Sequence, residues 1–193
     1  MSRLGDAKTL GGIGSILLLV PGASIVGYIL VLIAGKYVSD ELADKSIFDN
    51  MLYAVITGIV GVAAFVFVLI TGLVAGILTF GIGAILGVIS AFAVIWIFMV
   101  ISSIFIKRAF NTMAARLNVN SFRTAGTLYF IGSLLTIVLV GFVILFIAYI
   151  FQIVAFFSIS EAAPVGTRYC PACGTQVPQT ASVCPKCGAK LQA

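Results

Sequence analysis

The sequence predicts an all-α polytopic membrane protein, a bundle of about four to six hairpin-like membrane helices, followed by a small cysteine-rich C-terminal domain. Its seventeen charged residues all fall in four short stretches, 3–8, 36–49, 107–123 and 161–190. The blocks between them hold 27, 57 and 37 consecutive uncharged residues. An apolar run of about 18 residues is already long enough for a membrane helix. The chain should therefore enter the membrane several times.

Composition agrees with this class and excludes several functions. The chain is 62% hydrophobic and 9% charged, whereas soluble domains carry about 25% charged residues. Its net charge of +5 is typical of a cytoplasmic bias in membrane proteins, so nucleic acid is not an expected partner. The lack of histidine excludes Ser–His triads and histidine-based metalloprotease sites. Because no acidic residue, lysine, arginine or histidine lies within the blocks, proton-coupled transport is disfavoured, and the sequence predicts a protein that is not an enzyme.

The first block, residues 9–35, has two interpretations. Pro21 and Gly22 lie near its middle, and proline interrupts a helix because it lacks an amide hydrogen. The block is either one span kinked at Pro21 or a re-entrant hairpin whose arms are too short to cross. A cleaved signal peptide is less favoured, because the apolar pattern resumes at once at Ile25.

The second and third blocks are each long enough to cross twice. At about 1.5 Å per residue they would form single helices of roughly 85 and 55 Å, well beyond a hydrocarbon core of about 30 Å. Glycines indicate the turns, at Thr79–Gly83 in the second block and near Val140–Phe142 in the third. Each of these blocks should form a helical hairpin.

The two charged connectors between blocks differ in sign. Residues 36–49 have a net charge of −2 and residues 107–123 of +4, so they either dock on each other or form independently solvated faces. Ser39 is predicted to cap a helix that begins at Asp40. The basic connector either lies as a helix in the membrane interface or continues the preceding span. One of its helical faces is apolar, at Phe110, Met113, Ala114 and Leu117.

The excess of Lys and Arg in residues 107–123 predicts that this connector is cytoplasmic. Hairpins return the chain to the side from which it entered. Residues 36–49 and the C-terminal tail should therefore be cytoplasmic as well.

Two small-residue motifs lie on opposite arms of the second block. Gly72 and Gly76 are four residues apart, as are Gly83 and Gly87, and such spacing lets helix backbones approach closely. Contact within the chain is the favoured interpretation. A homo-oligomer formed through the same four glycines is the alternative.

The C-terminal cysteines provide the most specific signal in the chain. Cys170 and Cys173 form one C-x2-C pair, and Cys184 and Cys187 form a second pair after ten residues. Two such pairs supply the four thiolates of a structural zinc site. A tail of this size cannot bury a sufficient core, so one zinc per chain should hold it together. Rubredoxin-like iron and a dithiol redox pair are the alternatives.

Several segments of the chain resemble a prokaryotic, largely archaeal, membrane family catalogued as domain of unknown function 996. They are Lys8-Thr-Leu-Gly-Gly-Ile-Gly-Ser15, Lys36-Tyr-Val-Ser-Asp40, Lys45-Ser-Ile-Phe48, Phe122-Arg-Thr-Ala-Gly126 and Ile153-Val-Ala-Phe-Phe-Ser158. The resemblance covers roughly residues 1–160, and the tail is similar to zinc ribbons appended to prokaryotic membrane proteins. It implies a multi-pass protein of a prokaryotic plasma membrane and no assigned activity.

Together these observations predict three parts, a helical transmembrane domain at 1–160, a linker at 161–169 and a zinc ribbon at 170–193. The expected function is that of a membrane protein whose cytosolic zinc ribbon docks a protein partner. The alternative is a passive channel or carrier for a small neutral solute. The expected partners are the lipid bilayer, a cytosolic protein and, through the glycine motifs, a second copy of the chain.

Overall fold

The computed structural model describes residues 3–160, 167–173, 175–178 and 183–190. Three antiparallel helical hairpins make up the N-terminal part, and two short strands, β1 (Thr167–Tyr169) and β2 (Gln176–Pro178), follow them. The helices are α1 (Arg3–Leu17), α2 (Ser24–Glu41), α3 (Lys45–Leu78), α4 (Ile82–Leu117), α5 (Asn120–Leu135) and α6 (Val140–Phe157). The predicted fold class, a helical membrane bundle with a small C-terminal domain, is confirmed.

Four of these helices are long and apolar enough to cross a membrane. The four segments are Lys45–Ile77, Ile82–Leu117, Asn120–Val138 and Val140–Phe157. They indicate a membrane protein. Neither α1 nor α2 is among them.

The first block is a hairpin and not a kinked span. Its turn lies between Leu17 and Ser24, where Gly22 adopts a φ of +91° that favours glycine. Pro21 therefore lies in the turn between two helices and does not bend one. Of the two interpretations of this block, the hairpin with short arms is the correct one.

The turn of the second block falls where glycines predict it, but the turn of the third does not. Gly81 between α3 and α4 has a φ of 93°. Between α5 and α6 the chain turns at residues 136–139, and Leu139 takes the positive φ of 62°. The predicted position near Val140–Phe142 is thus a few residues late. Gly141 lies on the inner side of α6, where a Cβ would collide with the backbone of α5, so it serves close packing and not the turn.

The charged connectors meet at one end of the bundle, which we call the charged end. Arg3, at the start of α1, lies 3.6 Å from the carboxylate of Asp40, near the end of α2. Arg116, near the end of α4, lies 3.1 Å from the carboxylate of Asp44. This second contact joins the two connectors, as the docking alternative predicts.

A cluster of buried aromatic side chains lies near this charged end. Phe122 is fully buried and makes edge-to-face contacts with Phe110 at 5.5 Å and Phe156 at 5.1 Å between ring centroids. Helix α4 continues unbroken through the basic connector to Leu117. Its apolar face is buried in this protein core, so the connector continues the span and does not lie on the membrane surface.

The cap between α2 and α3 differs from the predicted one. Ser39 lies inside the last turn of α2, and its hydroxyl donates to the carbonyl oxygen of Asp44 at 2.9 Å. Asp44 caps α3 instead, because its carboxylate accepts from the amide and the hydroxyl of Ser46 at 3.2 and 2.6 Å. Helix α2 runs past Ser39 because Val38 and Ser39 are buried against the bundle, which favours one more helical turn.

Polar side chains within the blocks join helices to one another, both within a hairpin and between hairpins. The amide nitrogen of Gln152 on α6 donates to the hydroxyl of Ser15 on α1 at 2.8 Å, and Tyr129 on α5 donates to the amide oxygen of Gln152 at 2.6 Å. The hydroxyl of Ser102 on α4 donates to the carbonyl oxygen of Ala54 on α3 at 2.9 Å. Such bonds satisfy polar groups that could not reach water.

Candidate metal centre

The two cysteine pairs form equivalent turns. The amide of Cys170 donates to the carbonyl oxygen of Thr175 at 2.9 Å, and the amide of Cys184 donates to that of Ala189 at the same distance. In the second turn, Gly188 takes a φ of +70° and its amide donates to the carbonyl oxygen of Cys184. The repeated sequence therefore produces a repeated backbone, and each repeat presents two sulfurs.

Short antiparallel pairings accompany the two turns. Strand β1 pairs with β2 so that Arg168 lies opposite Val177, and Val183 bridges to Lys190. Strand β1 precedes Cys170 and occupies the end of the segment predicted as a linker. The rest of that segment, residues 161–166, lies outside the described residues.

The four sulfurs converge on one point. Cys170 Sγ lies 3.6 Å from Cys187 Sγ, and Cys173 Sγ lies 3.6 Å from Cys184 Sγ. All four lie within 4.8 Å of one another. A tetrahedral thiolate site with metal–sulfur bonds of about 2.3 Å has sulfur–sulfur edges of roughly 3.8 Å, whereas a disulfide needs about 2.05 Å. The spacing therefore suits a shared metal ion and not a pair of disulfides.

Neighbouring groups lower the pKa of two of the thiols and raise the pKa of a third. The Thr175 hydroxyl, 3.3 Å from the sulfur, lowers the pKa of Cys173 to about 6. The backbone amide of Cys187 is the main cause of a lowered pKa at Cys184. At Cys187 the amide of Ala189 lowers the pKa, but nearby thiols outweigh it and raise the pKa to about 12. Thiolates this close repel one another, so a bound cation would favour ionisation of all four.

Sequence reasoning identified all four cysteines but missed Thr175. A threonine two residues after a cysteine is too common to single out. Only the turn geometry brings its hydroxyl to Cys173 Sγ.

Comparison with known proteins assigns the membrane part to a family. A family model described as protein of unknown function (DUF996) matches residues 23–150. The chain belongs to this family. It is also 36% identical over 167 residues to the uncharacterized protein MJ1644 of Methanocaldococcus jannaschii, an alignment that covers 82% of this chain and 94% of that protein. No solved structure matches the chain.

A zinc-ribbon domain model matches residues 169–191. This match agrees with the cysteine cluster, and both indicate a metal-binding ribbon. The resemblances found in the sequence, to the DUF996 family and to zinc ribbons, are thereby confirmed.

The glycine motifs act within the chain. A Cβ on Gly72 would collide with the backbone of Gly87, and a Cβ on Gly76 would collide with Ala84. Both contacts join α3 to α4, which is the favoured of the two interpretations. A homo-oligomer through these glycines stays a prediction.

A second candidate site is a cavity of about 840 Å³ between α2 and α3. Apolar side chains such as Ile29, Ile59 and Ile106 form most of its wall. Tyr149 and Gln152 are the polar side chains that α6 contributes to it. Sequence reasoning did not predict this cavity, because a cavity depends on how far apart the helices lie.

Proposed function

We propose that this protein is a non-enzymatic membrane protein whose zinc ribbon docks a protein partner in the cytosol. The observation that carries the proposal is the cluster of four thiols, which a short segment of chain joins to the helix that ends near the charged end of the bundle. Phe156 and Ile159, at the end of α6, are buried in the core near that end. Seven residues separate Ile159 from β1, and a fully extended chain of that length reaches at most about 25 Å. The ribbon is thus tethered close to the charged connectors.

The proposed metal is one structural zinc ion per chain, held by Cys170, Cys173, Cys184 and Cys187. Four thiolates are a donor set that zinc and iron share, and the match to a zinc-ribbon domain favours zinc. Four protein ligands leave no open position for a substrate, which supports a structural role.

Elemental analysis of the purified full-length protein tests the metal. We expect close to one zinc per chain in the wild type and loss of the metal in Cys173→Ser, with new protease cleavage after Pro164. The helical content should not change, because the membrane helices satisfy their own backbone hydrogen bonds. Ser90→Ala is a matched control that removes a hydroxyl bonded only to its own helix. Iron with a visible thiolate-to-metal band would replace the zinc assignment with a rubredoxin-like site.

The charged end is proposed to face the cytoplasm of a prokaryotic cell. The Lys and Arg residues of this end support the proposal, as does the contact between the two charged connectors there. Side-specific reporters fused at positions 45 and 115 and after residue 193 should all report the cytoplasm. A reporter after residue 193 that is active outside the cell would refute the cytosolic ribbon.

Docking is tested by cross-linking the full-length protein in its native membranes. We expect a defined protein partner to be captured by the wild type and by Ser90→Ala, and to be lost from Cys173→Ser. Recovery of the same partner with Cys173→Ser in equal yield would show that the folded ribbon is not what binds it.

A passive carrier for a small neutral solute is the second candidate, and the cavity between α2 and α3 favours it. Its volume lies within the range of about 300–1,000 Å³ that small-molecule sites occupy. Solute flux into proteoliposomes tests this candidate. Gly58 lines the cavity and has open space beside it, so Gly58→Phe should partly fill the cavity. Selective or saturable uptake that this variant loses would favour transport. Equal uptake by protein-free liposomes would exclude it.

A further inference from the structure

The α5–α6 hairpin ends well before the α3–α4 hairpin does. The hydroxyls of Ser103 on α4 and Ser133 on α5 lie 2.8 Å apart, so these two residues have similar heights in the bundle. Six residues lead from Ser133 to Leu139 in the turn, and six residues along antiparallel α4 lead from Ser103 to Ile97. Helix α4 extends 15 residues further, to Ile82. At about 1.5 Å per residue, α3–α4 projects roughly 22 Å beyond the turn of α5–α6.

The α1–α2 hairpin ends at a comparable height. A Cβ on Gly35 of α2 would meet the side chain of Met51 of α3, so these two residues have similar heights. Ten residues along α2 lead to Ile25, beside the turn, and ten along antiparallel α3 lead to Gly61. Gly61 packs against Phe98 of α4, which is adjacent to Ile97. Both short hairpins therefore stop at about the level where the projecting part of α3–α4 begins.

The projecting part, residues 63–96, must lie in hydrocarbon. It contains no charged residue, and its large apolar side chains face outward, with Ile77 82% and Phe80 102% exposed. If its tip lies at the far boundary of a hydrocarbon core about 30 Å thick, the turns of the short hairpins lie roughly 22 Å before that boundary, inside the hydrocarbon. The α5–α6 hairpin thus ends within the bilayer, although each of its helices is long enough to cross.

The turns of the short hairpins are suited to burial in lipid. Backbone groups in hydrocarbon must be satisfied internally. The amide of Leu139 donates to the carbonyl oxygen of Thr136 and the amide of Phe142 to that of Leu139, both at 3.1 Å. In the α1–α2 turn, the amides of Leu19 and Val20 donate to the carbonyl oxygens of Ile16 and Leu17. The exposed side chains at both turns are apolar, among them Val20, Ile137, Val138 and Leu139.

Lipid, and not a second copy of the chain, is the expected cover for the projecting part. Membrane helices associate through small residues and polar side chains. Here Gly72, Gly76 and Gly87 already face the opposite arm of the same hairpin. The hydroxyls of Thr71 and Ser90 bond to carbonyl oxygens of their own helices. The outward surface is left with large apolar side chains, which suit acyl chains.

We propose that this protein is a membrane wedge that binds preferentially to curved bilayers. All the described helices lie in the part of the bilayer next to the charged end, and only α3 and α4 continue to the far surface. A body that is wider in one leaflet fits best where that leaflet is convex, because a convex leaflet offers more area at its surface. The partner of this surface is therefore the lipid bilayer, bent with its convex side toward the charged end.

A matched pair of lysine substitutions tests the depth of the turns. Leu139 and Phe80 each lie in a hairpin turn, are exposed, and have positive φ values of 62° and 51°. A lysine at 139 would lie within the hydrocarbon, whereas one at 80 would reach water beyond the far leaflet. We expect Leu139→Lys to give a much lower yield of folded protein in the membrane than the wild type, and Phe80→Lys to give a similar yield. Equal yields from both variants would place the α5–α6 turn in water and overturn the proposal.

Sorting of the wild-type, full-length protein between vesicles tests the curvature preference without any variant. From one mixture of small and large vesicles of the same lipid, we expect a severalfold higher protein-to-lipid ratio in the small ones. External protease should cut the connectors of most copies there, because the charged end would face outward. An equal ratio in both sizes would refute the wedge. Chains cross-linked to each other through residues 74 and 85 would refute it too, because a second copy would then fill the other leaflet.

Discussion

Gly72→Ala tests how closely the arms of the α3–α4 hairpin depend on their glycines. A methyl group at position 72 would fall on the backbone of Gly87, which cannot move aside as a flexible side chain could. The two helices would have to separate along a stretch that only lipid surrounds. Overpacking of this kind costs about 1–3 kcal/mol, against a gain of about 0.5–1 kcal/mol from replacing a helical glycine with alanine. We expect a net loss of about 1–2 kcal/mol in the free energy of unfolding.

Gly58→Ala is the matched control on the same helix, since nothing lies within 4 Å of its added methyl group. Unfolding in mixed micelles by SDS titration, followed by far-UV circular dichroism, measures both variants against the wild type. Gly58→Ala should be at least as stable as the wild type. Equal stability of Gly72→Ala and Gly58→Ala would refute the reasoning. If Gly72→Ala instead dissociated an oligomer without loss of helical stability, the glycines would act between chains.

Two further predictions concern the connectors and the buried network. The hydrogen bond from Ser46, aided by Arg116, lowers the pKa of Asp44 from its ordinary value of 3.8. The ionised carboxylate of Asp44 should therefore stabilise the fold above pH 3.8, and this stabilisation should be lost as the pH falls through the lowered pKa. Asp44→Asn should flatten this pH dependence. A double-mutant cycle of Asp44→Asn with Arg116→Gln should give a coupling energy below about 1 kcal/mol, because the guanidinium is largely exposed. A coupling energy of zero would mean that the two connectors are independent. Gln152→Leu would leave the buried hydroxyl of Tyr129 without its acceptor and should cost about 1–3 kcal/mol by SDS unfolding; an unchanged midpoint would mean that water or lipid replaces the bond.

The membrane class and the metal ligands could be predicted from sequence because both depend on local patterns. Charges cannot be placed in hydrocarbon at low cost, so the uncharged blocks mark the membrane segments. Four cysteines in two C-x2-C pairs already meet the spacing of a metal site, and the structure brings their sulfurs together.

Local turn chemistry was a weaker guide, because packing overrides propensity. Gly81 provides a turn as expected, yet Leu139 takes a positive φ while nearby Gly141 packs against α5. Ser39 has a typical capping residue type, but burial of its helix end moved the cap to Asp44.

The sequence by itself determined that the second and third blocks form hairpins, which residues are apolar enough for the membrane, and which four thiols can share a metal ion. It left the first block open between a hairpin and one kinked span. Only the tertiary structure decided which hairpins are level with each other and how far each one reaches. Hydropathy indicates whether a residue tolerates lipid and not how far along the bundle its hairpin reaches. That reach follows from contacts between distant residues, such as Ser103 with Ser133 and Gly61 with Phe98. Those contacts make α5–α6 end before α3–α4 does, although the length and composition of α5 and α6 are those of helices that cross.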